Sequence, residues 1–174
     1  MNPKKLKYCP QCGKDLVVKF RDERERIQCS DDEACDFVFW NNPTPVVAAI
    51  VEHEGDVILA RNAAWPPEWY ALITGFLEAK EDPAEAILRE VKEELNLEGE
   101  IVEFIGMYAF NHMNQLIIAY HVRAWGNIQL SDELIDYKRL QPDQIRPWPG
   151  GTGQAMKKWL ADRGIFNEEI VFKR

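Results

Sequence analysis

Three glutamates in the middle of the sequence, Glu90, Glu93 and Glu94, have the spacing of one flank of a helix. At about 100° per residue, Glu94 projects close to the direction of the apolar residue Ile87, and Glu90 lies one turn before Glu94. Carboxylates at the margin of a buried face repel one another and lose hydration, and Mg²⁺ or Mn²⁺ would cancel that repulsion. A solvated acidic face is the commoner explanation of a charge run, but it does not explain why Glu94 aligns with an apolar stripe.

Most of the net charge of the protein lies in the same stretch. The chain has 174 residues and a formal net charge of -8, and residues 78–100 carry nine acidic against three basic side chains, a local balance of -6. Such a stretch repels anionic partners unless cations are bound to it. The acidic excess therefore points to a cation site and not to a general property of the surface.

A helix that would carry these glutamates is marked at both ends. Asp82 is an N-cap acceptor followed by Pro83 at the first helical position, and Asn96 tolerates the left-handed conformation of a C-cap. The sequence therefore predicts a helix over residues 83–95. Arg89, on the other side of this helix, can fork onto a carboxylate and hold the preceding loop in place.

The residues of this region resemble the Nudix box, G-x5-E-x7-R-E-U-x-E-E-x-G-U, in which U is a bulky aliphatic residue. Gly75, Glu81 and the run from Arg89 to Leu97 match every defined position except the last glycine, which is Asn96 here. The apolar stretches before the box are similar to the strands that precede it in Nudix hydrolases. Resemblance to this family implies an α/β fold, a Nudix-type α/β/α sandwich with a mixed sheet.

The remaining pattern is consistent with that fold. We expect strands at 46–51, 57–61, 71–76, 101–110, 116–125 and 135–140, and a second helix that follows Thr152 and ends at Asp162.

The resemblance also implies a metal site and an activity. Glu90 and Glu94 would be the principal Mg²⁺ or Mn²⁺ ligands, Glu93 a ligand or the base that activates water, and Gly75 a carbonyl donor. The activity implied is hydrolysis of a pyrophosphate bond in a nucleoside diphosphate linked to another moiety, such as ADP-ribose, FAD or NAD(H). An acidic site can accept such a polyanion only through divalent cations, which also activate the attacking water. The sequence motif expected after the box in NADH-specific members is absent, which argues against NADH in particular.

Further residues are assigned roles around this site. Glu81 and Arg89 would brace the loop and the helix, and with Glu93 they form the expected catalytic set. For substrate contacts the candidates are Glu78, in the loop before the helix, and the aromatic residues Trp69 and Phe110. Family members often add a downstream acidic residue, for which the candidates are Glu133 and Asp136.

All four cysteines, Cys9, Cys12, Cys29 and Cys35, lie in the first 35 residues. Two cysteine pairs brought together across a hairpin can form a closed four-thiolate site, for which zinc is the usual metal. Two disulfides or four unrelated thiols are the alternatives, and five residues separate the second pair where two to four are usual. We expect a structural zinc ribbon over residues 1–41, joined through an Asn-Pro linker to a Nudix hydrolase domain over residues 42–174.

The expected partner is a small-molecule nucleotide. Residues 1–41 carry eight basic and eight acidic side chains, so binding of nucleic acid is not expected. The longest apolar runs are far shorter than the roughly 20 residues of a membrane helix, and no targeting segment is visible, so a cytoplasmic location is the default. The resemblance is also compatible with a homodimer.

Two other functions compete with hydrolysis. A nucleotide sensor would bind without cleaving, but sensors tend to have a degraded box, whereas here every acidic position and Arg89 are present. An isoprenoid diphosphate isomerase resembles this family but uses a catalytic cysteine, and residues 36–174 contain none.

Overall fold

The computed structural model describes residues 6–31 and 33–171. The chain divides into two compact units, Met1–Pro43 and Thr44–Arg174. No helix within the described ranges is both long and apolar enough to cross a membrane.

The first unit is a three-stranded antiparallel sheet in the order β1-β2-β3. Its strands are β1 (Leu16–Arg21), β2 (Arg24–Cys29) and β3 (Val38–Phe39). Asp22 and Glu23 join β1 to β2 with positive φ at both positions, 49° and 61°, as a two-residue hairpin turn requires. The sequence predicted a hairpin between the two cysteine pairs but not the limits of its strands, because the alternating charges of β2 do not resemble a buried strand.

The described residues of the second unit form one six-stranded mixed sheet, two α-helices and a short 3-10 helix, Pro142–Gln144. The strands are β4 (Thr44–His53), β5 (Asp56–Asn62), β6 (Ile73–Phe76), β7 (Glu98–Phe110), β8 (Gln115–Trp125) and β9 (Leu134–Leu140). The helices are α1 (Pro83–Leu95) and α2 (Gly153–Asp162). The strand order is β7-β8-β4-β5-β9, with β6 paired to β4, and the β4–β8 pair is the parallel one.

Strand β4 lies at the centre of this sheet and separates two cores. Val47 and Val51 pack with α1, while Ala48 and Ile50, between them in sequence, pack with α2 on the opposite face. The sheet is thus covered by one helix on each side. The predicted α/β/α sandwich with a mixed sheet is confirmed, and each strand begins or ends within a few residues of its predicted limits.

Helix α1 begins and ends at the predicted residues. The Asp82 side chain accepts a hydrogen bond from the Ala84 N–H at 2.8 Å, and Pro83 opens the helix. Asn96 is the C-cap with φ 58° and ψ 24°, and its N–H donates to the Lys92 carbonyl. Local caps therefore fix which residues of the box are helical.

Candidate active site

Glu90 of α1 lies directly against Gly75 of β6. A Cβ atom placed on Gly75 would lie 1.9 Å from the carboxylate carbon of Glu90, far inside any allowed contact. The Glu90 side chain is 13% exposed. Glycine at position 75 therefore permits the close approach of this carboxylate to the strand backbone.

Arg89 holds the loop between β6 and α1. Its Nε donates to Glu81 Oε1 at 2.7 Å and its Nη2 to Glu81 Oε2 at 3.0 Å, a two-pronged ion pair. Glu81 also accepts the N–H of Glu78 at 3.1 Å, and Arg89 reaches the carbonyl of Phe76 at 3.4 Å. The hydrogen bonds from Arg89 keep the pKa of Glu81 below its ordinary value. The predicted fork from Arg89 to a carboxylate of the preceding loop is present.

The same guanidinium also reaches the carboxylates of the box, contrary to the expectation that Arg89 lies on the other side of the helix. Its Nη1 donates to Glu90 Oε1 at 2.7 Å and to Glu93 Oε2 at 3.0 Å. Glu93 lies one turn after Arg89 on the same side of α1, so one guanidinium contacts Glu81, Glu90 and Glu93 together. These hydrogen bonds, that of Glu81 foremost, raise the pKa of Arg89.

Glu94 is the carboxylate of the cluster whose charge is least compensated. Burial, followed by the negative charges of Glu90, Glu133 and Glu93, raises its pKa to about 8 from 4.5. A group in this position is stabilised by a nearby cation, and carboxylate oxygens are the donors that Mg²⁺ and Mn²⁺ prefer. The residues present thus fit a divalent cation.

The carboxylates are nevertheless not gathered as tightly as the cysteines. Within the part of the chain that the structure describes, the cysteines form the one group of three or more Cys, His, Asp or Glu side chains whose ligand atoms all lie within 4.8 Å. Arg89 Nη1 donates to one oxygen of Glu90 and to one oxygen of Glu93. The second oxygen of each of these carboxylates takes no part in that contact and is left for a cation.

Glu133 joins the cluster through a turn whose position the sequence did not reveal. Residues 126–133 dock on the end of α1, where the N–H of Gln129 donates to the Leu95 carbonyl at 2.9 Å and that of Ser131 to the Glu94 carbonyl at 3.1 Å. The apolar residues Ile128 and Leu130, packed against the α1 core, are the signal for this docking.

Asp136, the other downstream acidic candidate, has different partners. Its carboxylate accepts hydrogen bonds from the Tyr70 hydroxyl and from the N–H of Tyr137. These bonds, that of Tyr70 foremost, lower the pKa of Asp136. The structure therefore engages this carboxylate in holding the β5–β6 loop to β9.

The candidate substrate residues are spread over the second unit. Glu78 is exposed in the loop that Arg89 braces, and Trp69 is exposed in the loop between β5 and β6. Phe110 packs with the core of α2, and its ring lies 3.6 Å from a Cβ placed on Gly151. Phe110 is thus on the opposite face of the sheet from the box core. The substrate roles of Glu78, Trp69 and Phe110 stay predictions.

The four cysteines converge in the first unit. Their sulfur atoms all lie within 4.8 Å of one another, with Cys9 to Cys35 at 3.7 Å and Cys12 to Cys29 at 3.5 Å. A disulfide requires about 2.05 Å, so these are free thiols. Four sulfur donors at these separations fit a tetrahedral zinc ion.

The mixed sheet between two helices, with a Gly75–Glu90 contact and a glutamate cluster on α1, defines a Nudix-type domain. In agreement, residues 42–162 match the family model of the NUDIX domain. The chain belongs to the Nudix hydrolase family.

Individual relatives are more distant. The chain is 25% identical over 158 residues to the NAD-capped RNA hydrolase NudC of Pseudomonas putida, over 90% of this chain and 55% of that protein. It therefore spans about half the length of the curated relatives it matches. A NUDIX hydrolase from Nitrosomonas europaea has the same fold, with a TM-score of 0.76 and 24% identity over 97% of this chain and 100% of that chain. An ADP-ribose pyrophosphatase from Streptococcus suis gives a TM-score of 0.58 and 16% identity, over 74% of this chain and 97% of that one.

Proposed function

We propose that the protein hydrolyses a pyrophosphate bond in a nucleoside diphosphate linked to another moiety, with Mg²⁺ or Mn²⁺ as cofactor. The observation that carries this proposal is the partly buried carboxyl group of Glu94 beside the carboxylates of Glu90, Glu93 and Glu133, on a helix whose sequence is that of the Nudix box. The candidate substrates are ADP-ribose, FAD and NAD(H), because all contain this linkage.

In this proposal the metal is held by Glu90, Glu93 and Glu94, with the carbonyl of Gly75 as a further donor. When bound, it would neutralise the pyrophosphate and lower the pKa of the attacking water. The Glu93 side chain is 59% exposed, whereas that of Glu90 is 13% exposed and Glu94 is partly buried. Glu93 can therefore accept the proton of that water. Water then adds to one phosphorus and the other phosphate leaves, which gives a nucleoside monophosphate and a second phosphate ester.

Arg89 and Glu81 act as positioning residues in this scheme. The Arg89 guanidinium connects the loop carboxylate Glu81 to Glu90 and Glu93. The loop that carries Glu78 is thereby fixed relative to the carboxylates.

The proposed domain organisation is a structural zinc ribbon over residues 1–41 and a catalytic domain over residues 42–174. Support for zinc comes from the four converging thiols and from the small apolar cluster around them, in which the described residues add Leu16 and Phe37 to Cys9, Cys29 and Cys35. A unit with so small a hydrophobic core requires a further source of folding stability, such as a bound metal ion.

The activity is tested by incubating the full chain with Mg²⁺ or Mn²⁺ and ADP-ribose, FAD, NAD(H), nucleoside triphosphates and NAD-capped RNA, and identifying the products. NAD-capped RNA is included because the Pseudomonas relatives are hydrolases of it. We expect cleavage between the two phosphates, and a loss of about 100-fold or more in Glu94→Gln and in Glu93→Gln. Glu85→Gln, on an exposed position of the same helix, is the control.

Equal activity in Glu94→Gln and the wild type would contradict the proposed metal site. Stabilisation by nucleotides without any turnover would contradict hydrolysis and favour a sensor.

A further inference from the structure

Four cations project from one face of the β1–β2 hairpin. The register pairs Lys19 with Arg26 and Arg21 with Arg24. Because alternate residues of a strand point to the same side, all four side chains belong to one face, which we call the cation face. Like charges directly opposite each other destabilise a strand pair, so this face gains stability when an anion lies on it.

The acidic residues of the hairpin do not occupy the cation face. Glu25 is paired with Phe20 and projects from the opposite side, and Asp22 and Glu23 form the turn. Arg21 and Arg24 are exposed and make no ion pair within residues 6–31 and 33–171. Both guanidinium groups are therefore available to an external anion.

An exposed aromatic ring, that of Trp40 directly after β3, extends the cation face. Arg26 donates from Nη1 to the Trp40 carbonyl at 2.8 Å, and its guanidinium carbon lies 5.2 Å from the centre of the Trp40 ring. The indole is anchored by this contact, yet Trp40 remains 45% exposed. A ring held beside cations provides a stacking surface for a nucleobase.

We propose that the cation face binds single-stranded nucleic acid, with Arg21 and Arg24 on backbone phosphates and Trp40 stacked on a base. Arginine pairs with phosphate through its planar fork, and stacking on an aromatic ring accepts any base. Single-stranded nucleic acid carries phosphate charges and flat bases. The cations of the face match the phosphates, and the Trp40 ring matches the bases. The proposed site consists of residues of the first unit only, and the proposal does not depend on the activity of the α1 carboxylates.

An anionic membrane surface fits this face less well. The exposed apolar side chains of the hairpin, Val18 at 62% and Phe20 at 75%, project from the side opposite the cations. An element that lies on a bilayer inserts its apolar residues while its cations reach the headgroups of the same surface. A flat hairpin cannot present both of its faces to one bilayer.

The proposal is tested by fluorescence anisotropy of a labelled single-stranded RNA of mixed sequence, titrated with the full chain at several salt concentrations. We expect the double variant Arg21→Gln/Arg24→Gln to bind about tenfold more weakly. The slope of log K against log salt should fall by about 1.4, since each lost phosphate contact on a single strand contributes about 0.7. Trp40→Leu should weaken binding without changing the slope.

The matched control is Lys157→Gln/Lys158→Gln, which removes the same charge from exposed positions of α2 and should leave binding unchanged. Zinc content and thermal unfolding of each variant establish that it is folded. Hydrolysis of the small substrate should be the same in Arg21→Gln/Arg24→Gln and the wild type. Equal RNA binding by that variant and the wild type, or arginine-dependent binding to phosphatidylserine vesicles with none to RNA, would overturn the proposal.

Discussion

The carboxylate of Glu90 lies where a side chain on residue 75 would otherwise be. Gly75→Ala must therefore move Glu90, and we expect a lower apparent affinity for Mg²⁺ in the hydrolysis assay together with a destabilisation of about 1 to 3 kcal/mol. Thermal unfolding of the two single variants and of Gly75→Ala/Glu90→Ala measures the coupling. Truncating Glu90 removes the overlap, so the loss caused by Gly75→Ala should largely vanish in the double variant. Strictly additive losses would contradict the contact.

Glu94 gives the metal-free protein a pH dependence. Its pKa is about 8 in the folded state and ordinarily 4.5, so ionised Glu94 disfavours folding. That loss of stability is absent below about pH 4.5, grows as the pH rises, and is complete above pH 8. Without divalent cations, Glu94→Gln should raise Tm by about 5 °C at pH 9 and change it little at pH 5.

The same substitution should also reduce the gain in Tm that Mg²⁺ gives the wild type at pH 9. Glu85→Gln serves as the control, because Glu85 is exposed on the same helix. An equal effect of Glu94→Gln at both pH values would show that the carboxylate is not held in its neutral form.

The positions of single residues on α1 were well predicted where they follow from local rules. The caps Asp82 and Asn96 and the alignment of Glu94 with the apolar stripe depend only on helix geometry. The contact of Arg89 with Glu93 was not predicted although their i, i+4 spacing allows it, and its contact with Glu90 depends on the conformations of the two side chains.

At the scale of elements, the one departure from the Nudix box concerns how α1 ends. Asn96 has φ 58°, a conformation in which a Cβ costs about 1 kcal/mol and which Asn tolerates better than Ala. We expect Asn96→Ala to lower Tm by about 3 °C, while Asn96→Gly, which restores the residue of the box, should leave Tm unchanged or higher. Thermal unfolding at fixed pH and Mg²⁺ compares the two. Similar losses in both variants would mean that the Asn side chain, and not the backbone conformation, stabilises this end.

Elements that depend on long-range contacts were harder to predict. The strands of the second unit have apolar periodicity and were placed within a few residues. Strand β2 was not placed because its charged residues Arg24, Glu25 and Arg26 give no apolar pattern. The docking of residues 126–133 on α1 is indicated in the sequence only by the apolar residues Ile128 and Leu130. Glu133 could be weighed as a candidate from sequence, but its place beside Glu94 required the fold.

At the scale of the whole molecule, a net charge gives the number of charged side chains but not the face from which each one projects. The total of -8 located the acidic site, because the excess of residues 78–100 lies close together on one loop and helix. Residues 1–41 have eight basic and eight acidic side chains, and this balance did not predict the charge of a single face. Strand alternation places four cations of β1 and β2 on one face. The sequence-based expectation that this segment does not bind nucleic acid is therefore the one that the proposed cation face reverses.

Zinc should matter for one unit of the chain and not for the other. The buried apolar cluster of the first unit consists of three cysteines with Leu16 and Phe37, whereas the second unit has two extended cores. We expect a zinc-selective chelator, used in excess Mg²⁺, to release one zinc ion per chain and abolish hydrogen-exchange protection over residues 16–29. Protection of α1 and hydrolysis of the small substrate should persist. The reason is that thiolate ligation supplies folding free energy that so small a core cannot.

Cys12→Ser should reproduce the effect of chelation without any reagent, while Ser30→Ala, next to Cys29 but without a sulfur ligand, should not. Because Cys12 is the exposed member of the four, its loss removes a donor and leaves the buried packing of the other three cysteines in place. Loss of hydrogen-exchange protection in Cys12→Ser thus reports the contribution of the bound metal to folding, and not the contribution of core packing. Protein purified without chelator that holds no zinc, or unchanged protection of β1 and β2 after chelation, would show instead that side-chain packing alone folds the first unit.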